Sequence, residues 1–192
     1  MSGRVDTRSR VAGMAGWAPL AAAVALLALP VAAAAQGAPG NFIEEFEGQF
    51  GGSASKIVAL AEAMPAEAYG WSPAEGVASV ARVYMHIARY NYMYPHENMD
   101  RPSPFTPEEY ARWEDEVTDK AEVVRILKAS VEYVHGIARG TRPSDLDAER
   151  TLYGRQVGEW AVLLQLVTHM NEHLGQSIAY ARMNGVVPPW SR

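Results

Sequence analysis

Apolar side chains recur at helical spacing in four long stretches of this 192-residue chain. From Asn41 to about Met64 the pattern is Phe42, Phe46, Phe50, Ile57 and Leu60, with Asn41 placed to cap and Pro65 to stop it. Gly51 and Gly52 weaken the middle of that helix. After a connection over 65–77, a second helix runs from about Ala78 to Tyr94 on Val80, Val83, Tyr84, Ile87, Ala88 and Asn91, with Pro95 closing it. Residues 95–105 are Pro-rich and loop-like. Thr106-Pro107-Glu108-Glu109 then has the residues of a helix start: a cap, Pro at the first position and Glu at the third. A short helix follows to about Glu116, and a longer one spans about Thr118–Ala138 before Gly140. The polar residues 140–154 lead into a last helix from about Arg155 to Met183, which Gly185 and Pro188-Pro189 end.

No alternation of the strand type stands out. Four long amphipathic stretches predict an all-α fold, a four-helix bundle.

The N-terminus follows a different pattern. Arg4, Arg8 and Arg10 precede an apolar run, Ala18–Ala35, that ends in small residues before Gln36. This is the arrangement of a cleavable signal peptide over residues 1–35, which predicts an exported protein, periplasmic or secreted. The bundle domain is then residues 36–192, with no stable membrane span after cleavage. Removing Arg4, Arg8, Arg10 and Asp6 leaves 14 basic against 21 acidic side chains, a net charge of −7. A surface that acidic disfavours nucleic acid as a partner. The chain has no cysteine, so it has no disulfide and no thiolate ligand. Any metal must be held by histidine, carboxylate or water.

Candidate chemistry lies in the last helix. His169 and His173 are four residues apart and share a face, a spacing at which two imidazoles can bind one divalent ion. At about 100° per residue, Val162, Gln165, His169, His173, Gln176 and Tyr180 form one stripe, polar for a bundle core. In the second helix Ser79, Arg82, His86, Tyr90, Met93 and Glu97 form a similar stripe. If both stripes face inward, they enclose a polar cavity whose imidazoles need partners. Spacing alone leaves other outcomes open, since core histidines are commonly hydrogen-bonded and such pairs also arise on helix surfaces. His169-Met170-Asn171-Glu172-His173 also reads H-x-x-E-H, an inverted zinc-protease motif. That reading fails because no acidic residue follows His173. Glu172 is the candidate base, Gln176 and Tyr90 the candidates to hold a ligand imidazole, and Arg82 a candidate for an anionic substrate. His96, expected to face solvent at the end of the second helix, and His135 are taken as non-ligands.

The stretches SVARVYMHIARYNYMY and TLYGRQVGEWAVLLQLVTHMNEHLGQSIAYARMNGVVPPW resemble the DinB/YfiT-like family. The more specific part is H-x-x-x-H-x-x-Q-x-x-x-Y-x-R-x-x-G-V-x-P, and the likeness runs from about Phe42 to Trp190. It implies a four-helix bundle holding a divalent transition metal (zinc, nickel or iron) through His86, His169 and His173, one from the second helix and two from the last. Some members are thiol-dependent transferases or isomerases, and others have no assigned activity. The export signal departs from the cytoplasmic members that use thiol cosubstrates. The resemblance therefore implies a metal-dependent hydrolase or transferase acting on an unidentified small molecule, a thiol or an anion, in a chain able to pair as a homodimer. The alternative is a non-catalytic binding or stress-associated bundle in which the metal is structural or absent.

Overall fold

The computed structural model describes residues 40–191, so the expected signal peptide and the start of the expected mature tail lie outside the described residues. The described residues are mostly helical, with five helices: α1 (Phe42–Ala63), α2 (Val80–Met99), α3 (Pro107–Glu116), α4 (Lys120–Gly140) and α5 (Glu159–Met183). α1 packs against α4 and α5, α2 packs against the same two, and α3 lies on α2. The core is built from their apolar stripes. Phe50, Ile57 and Leu60 of α1, Met85 and Ile87 of α2, Leu127 and Val134 of α4, and Val162 and Leu163 of α5 are all fully buried. Each such side chain contributes about 1.5–3 kcal/mol on leaving water. No helix among the described residues is long and apolar enough to cross a membrane.

Local chemistry explains most boundaries. Ser79 caps α2 by accepting from the Arg82 amide at 3.2 Å. Thr106 and Glu109 form a reciprocal capping box at α3, with Pro107 first in the helix. Asp119 caps α4 through the Glu122 amide at 3.0 Å. Asn41 occupies the cap position of α1, but its side chain makes no capping bond.

Three expectations need correction. Pro95 does not close α2, which continues through it to Met99. Proline lacks the N–H that would bond the preceding turn, yet burial of Tyr94, Pro95 and Met99 carries the helix onward. Asp100, in the left-handed region at φ 54°, ends it. His96 therefore lies inside a helix, half-buried with its ring edge-on to Tyr110.

The other two corrections concern residues 149–158. The last helix starts at Glu159 and not near Arg155, and the fold is not wholly helical. Glu149–Leu152 and Arg155–Gly158 form antiparallel strands β1 and β2, with Leu152 opposite Arg155. The two-residue turn between them has Tyr153 at φ 51° and Gly154 at φ 73°, the mirror-image turn that suits a twisted hairpin. At Gly158 a Cβ would come within 2.6 Å of the Trp160 ring, so glycine is what allows the close turn into α5. Gly154→Ala is expected to cost about 1–2 kcal/mol, the usual penalty for a side chain at positive φ. A urea midpoint equal to that of the parent chain would show that the hairpin turn carries no such strain.

Candidate metal centre

α2 and α5 bring their polar stripes together, and three imidazoles meet there. One ligand atom from each of His86, His169 and His173 lies within 4.8 Å of the others. The ring centroids are 5.1 Å apart for His86 and His169, 4.9 Å for His86 and His173, and 4.5 Å for His169 and His173. His169 is buried, and the other two are half-buried.

The hydrogen bonds on the outer ring nitrogens orient two of the rings. His173 Nδ1 is 2.8 Å from Gln176 Oε1. Gln176 Nε2 in turn donates to the Tyr180 hydroxyl at 3.1 Å, and that hydroxyl donates to the Ala78 carbonyl at 3.1 Å. Gln176 turns its amide nitrogen to Tyr180 and its oxygen to the ring, so His173 Nδ1 carries the proton. His86 Nδ1 is 3.0 Å from Glu114 Oε1 of α3. Burial pushes the Glu114 carboxyl up, but the hydrogen bond and charge of His86, then those of Arg89, outweigh it and hold the group below its ordinary range. An ionised carboxylate only accepts, so His86 Nδ1 also donates. In a neutral ring so bonded, Nε2 is the atom left with the lone pair.

Nε2 of His169 and Nε2 of His173 are 3.2 Å apart. Two nitrogens each about 2.0–2.1 Å from one tetrahedral ion would be separated by roughly 3.3 Å, so this spacing suits a shared cation. His169 and His173 are also in the right protonation state. Burial, followed by the charges of His173 and His86, pushes His169 down to about 3. Burial also lowers His173, against the opposing hydrogen bond of Gln176. Neutral imidazoles are the form that ligates. The donor set therefore fits a divalent transition ion.

The remaining expected residues divide. Gln176 holds the His173 imidazole by its Nδ1. Tyr90 packs its ring 4.5 Å from His86 and 4.8 Å from His169. Glu172 is exposed. Arg82 pairs with Asp115 at 3.0 Å and reaches Glu114 at 3.7 Å. His135 pairs with Glu47, away from the three imidazoles. A cavity of about 260 Å³ opens beside His86 and His173, walled by Ala78, Arg82, Val83, Glu114 and Gln176. A larger groove of about 490 Å³ between α1 and α4 contains His135 and Lys128 but lacks the three imidazoles.

Glu114 did not emerge from the sequence. The signal was present: Tyr110, Trp113, Glu114 and Val117 share one face of α3, so a carboxylate stands in an otherwise apolar stripe.

The sequence profile of the DinB superfamily matches residues 49–181. The fold resembles the crystal structure of a DinB-like protein from Bacillus cereus ATCC 10987, with a TM-score of 0.66 and 19% identity, covering 77% of this chain and 95% of that one. Among curated proteins none matches the chain.

Proposed function

We propose that this chain, which belongs to the DinB superfamily, is an exported four-helix-bundle metalloprotein in which His86, His169 and His173 hold one divalent transition ion. In this reading α3 and the hairpin are additions to a bundle of α1, α2, α4 and α5, and the ion serves hydrolase or transferase chemistry on a small molecule. The observation that carries it is the convergence of three imidazole nitrogens within 4.8 Å, two of them with their lone pairs directed by Glu114 and Gln176. Three neutral nitrogen ligands leave a coordination position open, and a divalent ion so held supplies Lewis acidity.

The rest of the chemistry belongs to the protein. Gln176 keeps the proton on His173 Nδ1, and Glu114 keeps it on His86 Nδ1. The cavity beside the two rings admits a small molecule, and Arg82 in its wall favours one with an anionic end, a carboxylate or an ionised thiol. Glu172, being exposed, is given no step. The basic Arg4, Arg8 and Arg10 ahead of the apolar run Ala18–Ala35 support export with removal of residues 1–35.

A second reading has one observation in its favour. The ligands come from two different helices, so a bound ion also ties α2 to α5 and would brace the bundle without turnover.

The test is elemental analysis of residues 36–192 beside His86→Ala, His169→Ala and His173→Ala. One equivalent of a transition metal in the parent protein and almost none in each variant is expected, and the same spectrum identifies the ion. Metal content that stays sub-stoichiometric after reconstitution, and is indifferent to the three substitutions, would remove the metalloprotein reading.

A further inference from the structure

The metal ligands come from α2 and α5, yet α3 reaches their site with a single side chain. α3 runs beside α2, and of its three consecutive acidic residues only one is turned inward. The Glu114 side chain is 8% exposed, against 70% for Asp115 and 65% for Glu116. Burying a carboxylate is costly unless its charge and lone pairs are met. Here they are met by His86 Nδ1 at 3.0 Å, Arg89 Nη1 at 3.0 Å and, more loosely, Arg82 Nε at 3.7 Å.

We propose that Glu114 is a positioning residue of the metal centre, holding His86 by Nδ1 so that Nε2 is the atom offered to the ion. This rests on the three-histidine reading above. The carboxylate bonds the Nδ1 edge of the ring, so it acts through His86 and is not itself a ligand. The other orienting residue is already local: Gln176 lies one turn beyond His173 on the same helix. α2 supplies no such acceptor for His86. A helix from elsewhere in the chain provides it, and that helix is firmly seated. Its capping box fixes the start, and the Tyr110 hydroxyl donates to Glu97 of α2 at 2.5 Å. A carboxylate behind a ligating imidazole fixes the tautomer and makes the ring a better donor, and losing such a partner typically costs 10–100-fold in metal affinity. Arg89 and Arg82 keep the carboxylate aimed and partly neutralised.

A purely structural role, pinning α3 to α2, makes different predictions. Zinc affinity of the full mature chain, measured by competition with a chromophoric chelator, should fall about 10–100-fold in Glu114→Ala. Glu114→Gln keeps an acceptor oxygen and should stay within a few-fold of the parent. Tyr110→Phe removes a different α3–α2 side-chain bond, one away from the imidazoles, and should lower stability while leaving zinc affinity unchanged. In parallel, nitrogen-15 NMR of the metal-free proteins should find the proton on His86 Nδ1 in the parent and in Glu114→Gln, and a mixture of tautomers in Glu114→Ala. Should the alanine variant fail to fold, Glu114→Met keeps the volume and removes the acceptor. Equal zinc affinity in parent and Glu114→Ala, or an equal loss in Tyr110→Phe, overturns the proposal. A parent protein that takes up no metal refutes the three-histidine reading instead, and the tautomer measurement then decides Glu114 by itself.

Discussion

Replacing Glu159 with alanine is expected to cost the fold about 3–5 kcal/mol, the usual penalty for removing one partner of a buried ion pair. Glu159 is the first residue of α5, and its side chain is fully buried. Oε1 accepts from Arg101 Nη2 at 2.5 Å. Oε2 accepts from Arg150 Nε at 2.9 Å and from Arg150 Nη2 at 2.7 Å. One carboxylate thus ties the segment after α2, strand β1 and the start of α5 together. Arg101 and Arg150 are themselves only 27% and 20% exposed, so alanine would leave two guanidinium groups with little water to turn to. Arg150 keeps a partner in Asp100 at 2.9 Å, which places the cost toward the lower end. At about 2–4 °C per kcal/mol for a chain of this size, the melting temperature should drop by roughly 6–20 °C. Glu159→Gln, which still accepts one hydrogen bond, should fall between. A loss under about 1 kcal/mol would mean that the network is no stronger than an exposed surface pair. The folded fraction should still bind metal, because Glu159 lies ten residues before His169, about 15 Å along the helix.

That network marks where sequence reasoning stopped. The long helices were legible because their apolar positions repeat at helical spacing, and α3 because Thr106-Pro107-Glu108-Glu109 states its own cap. The histidine pair of α5 was legible for the same reason, and His86 joined it through the similar polar stripe of α2 and the family resemblance. His169 and His173 are one turn apart on a single helix, and Gln176 is the next residue on their face. Glu114 and Glu159 were not legible, since each acts across elements: Glu114 is 28 positions from His86, and Glu159 is 58 from Arg101. In a linear sequence both look like surface charges, and only the apolar stripe around Glu114 argues otherwise. The hairpin was missed because Tyr153-Gly154 lacks the Asn-Gly or Asp-Gly usual in such turns, and because the following Arg155–Gly158 joins smoothly to a helical pattern. Pro95 was over-read as a stop, since a local backbone penalty of about 3 kcal/mol yields where several buried side chains lie beyond it.

Zinc added to the metal-free protein is expected to raise its melting temperature by several degrees, chelator should reverse the rise, and His169→Ala should abolish it. A ligand that binds only the folded state stabilises it by RT ln(1 + [L]/Kd), about 4 kcal/mol when free metal is a thousand times Kd. For this chain that is roughly 8–16 °C. The geometry of the three imidazoles favours this gain. His169 is 6% exposed and held neutral by burial, and its Nε2 faces Nε2 of His173 at 3.2 Å. A single proton can bridge that pair, while the third imidazole, His86, has no place in the same bond. A cation satisfies all three at once. The informative quantity is the metal-dependent increment rather than the stability of any one variant, because His169→Ala also alters packing. Leu127→Ala provides the contrast. Leu127 is fully buried in α4, so its truncation should cost about 2–5 kcal/mol. It belongs to α4, which supplies none of the three imidazoles, so the increment should survive intact. Equal increments in the parent protein and in His169→Ala would mean that the ion binds elsewhere on an acidic surface. An increment lost only in the histidine variants ties the stabilisation to the junction of α2 and α5, where the three imidazoles meet.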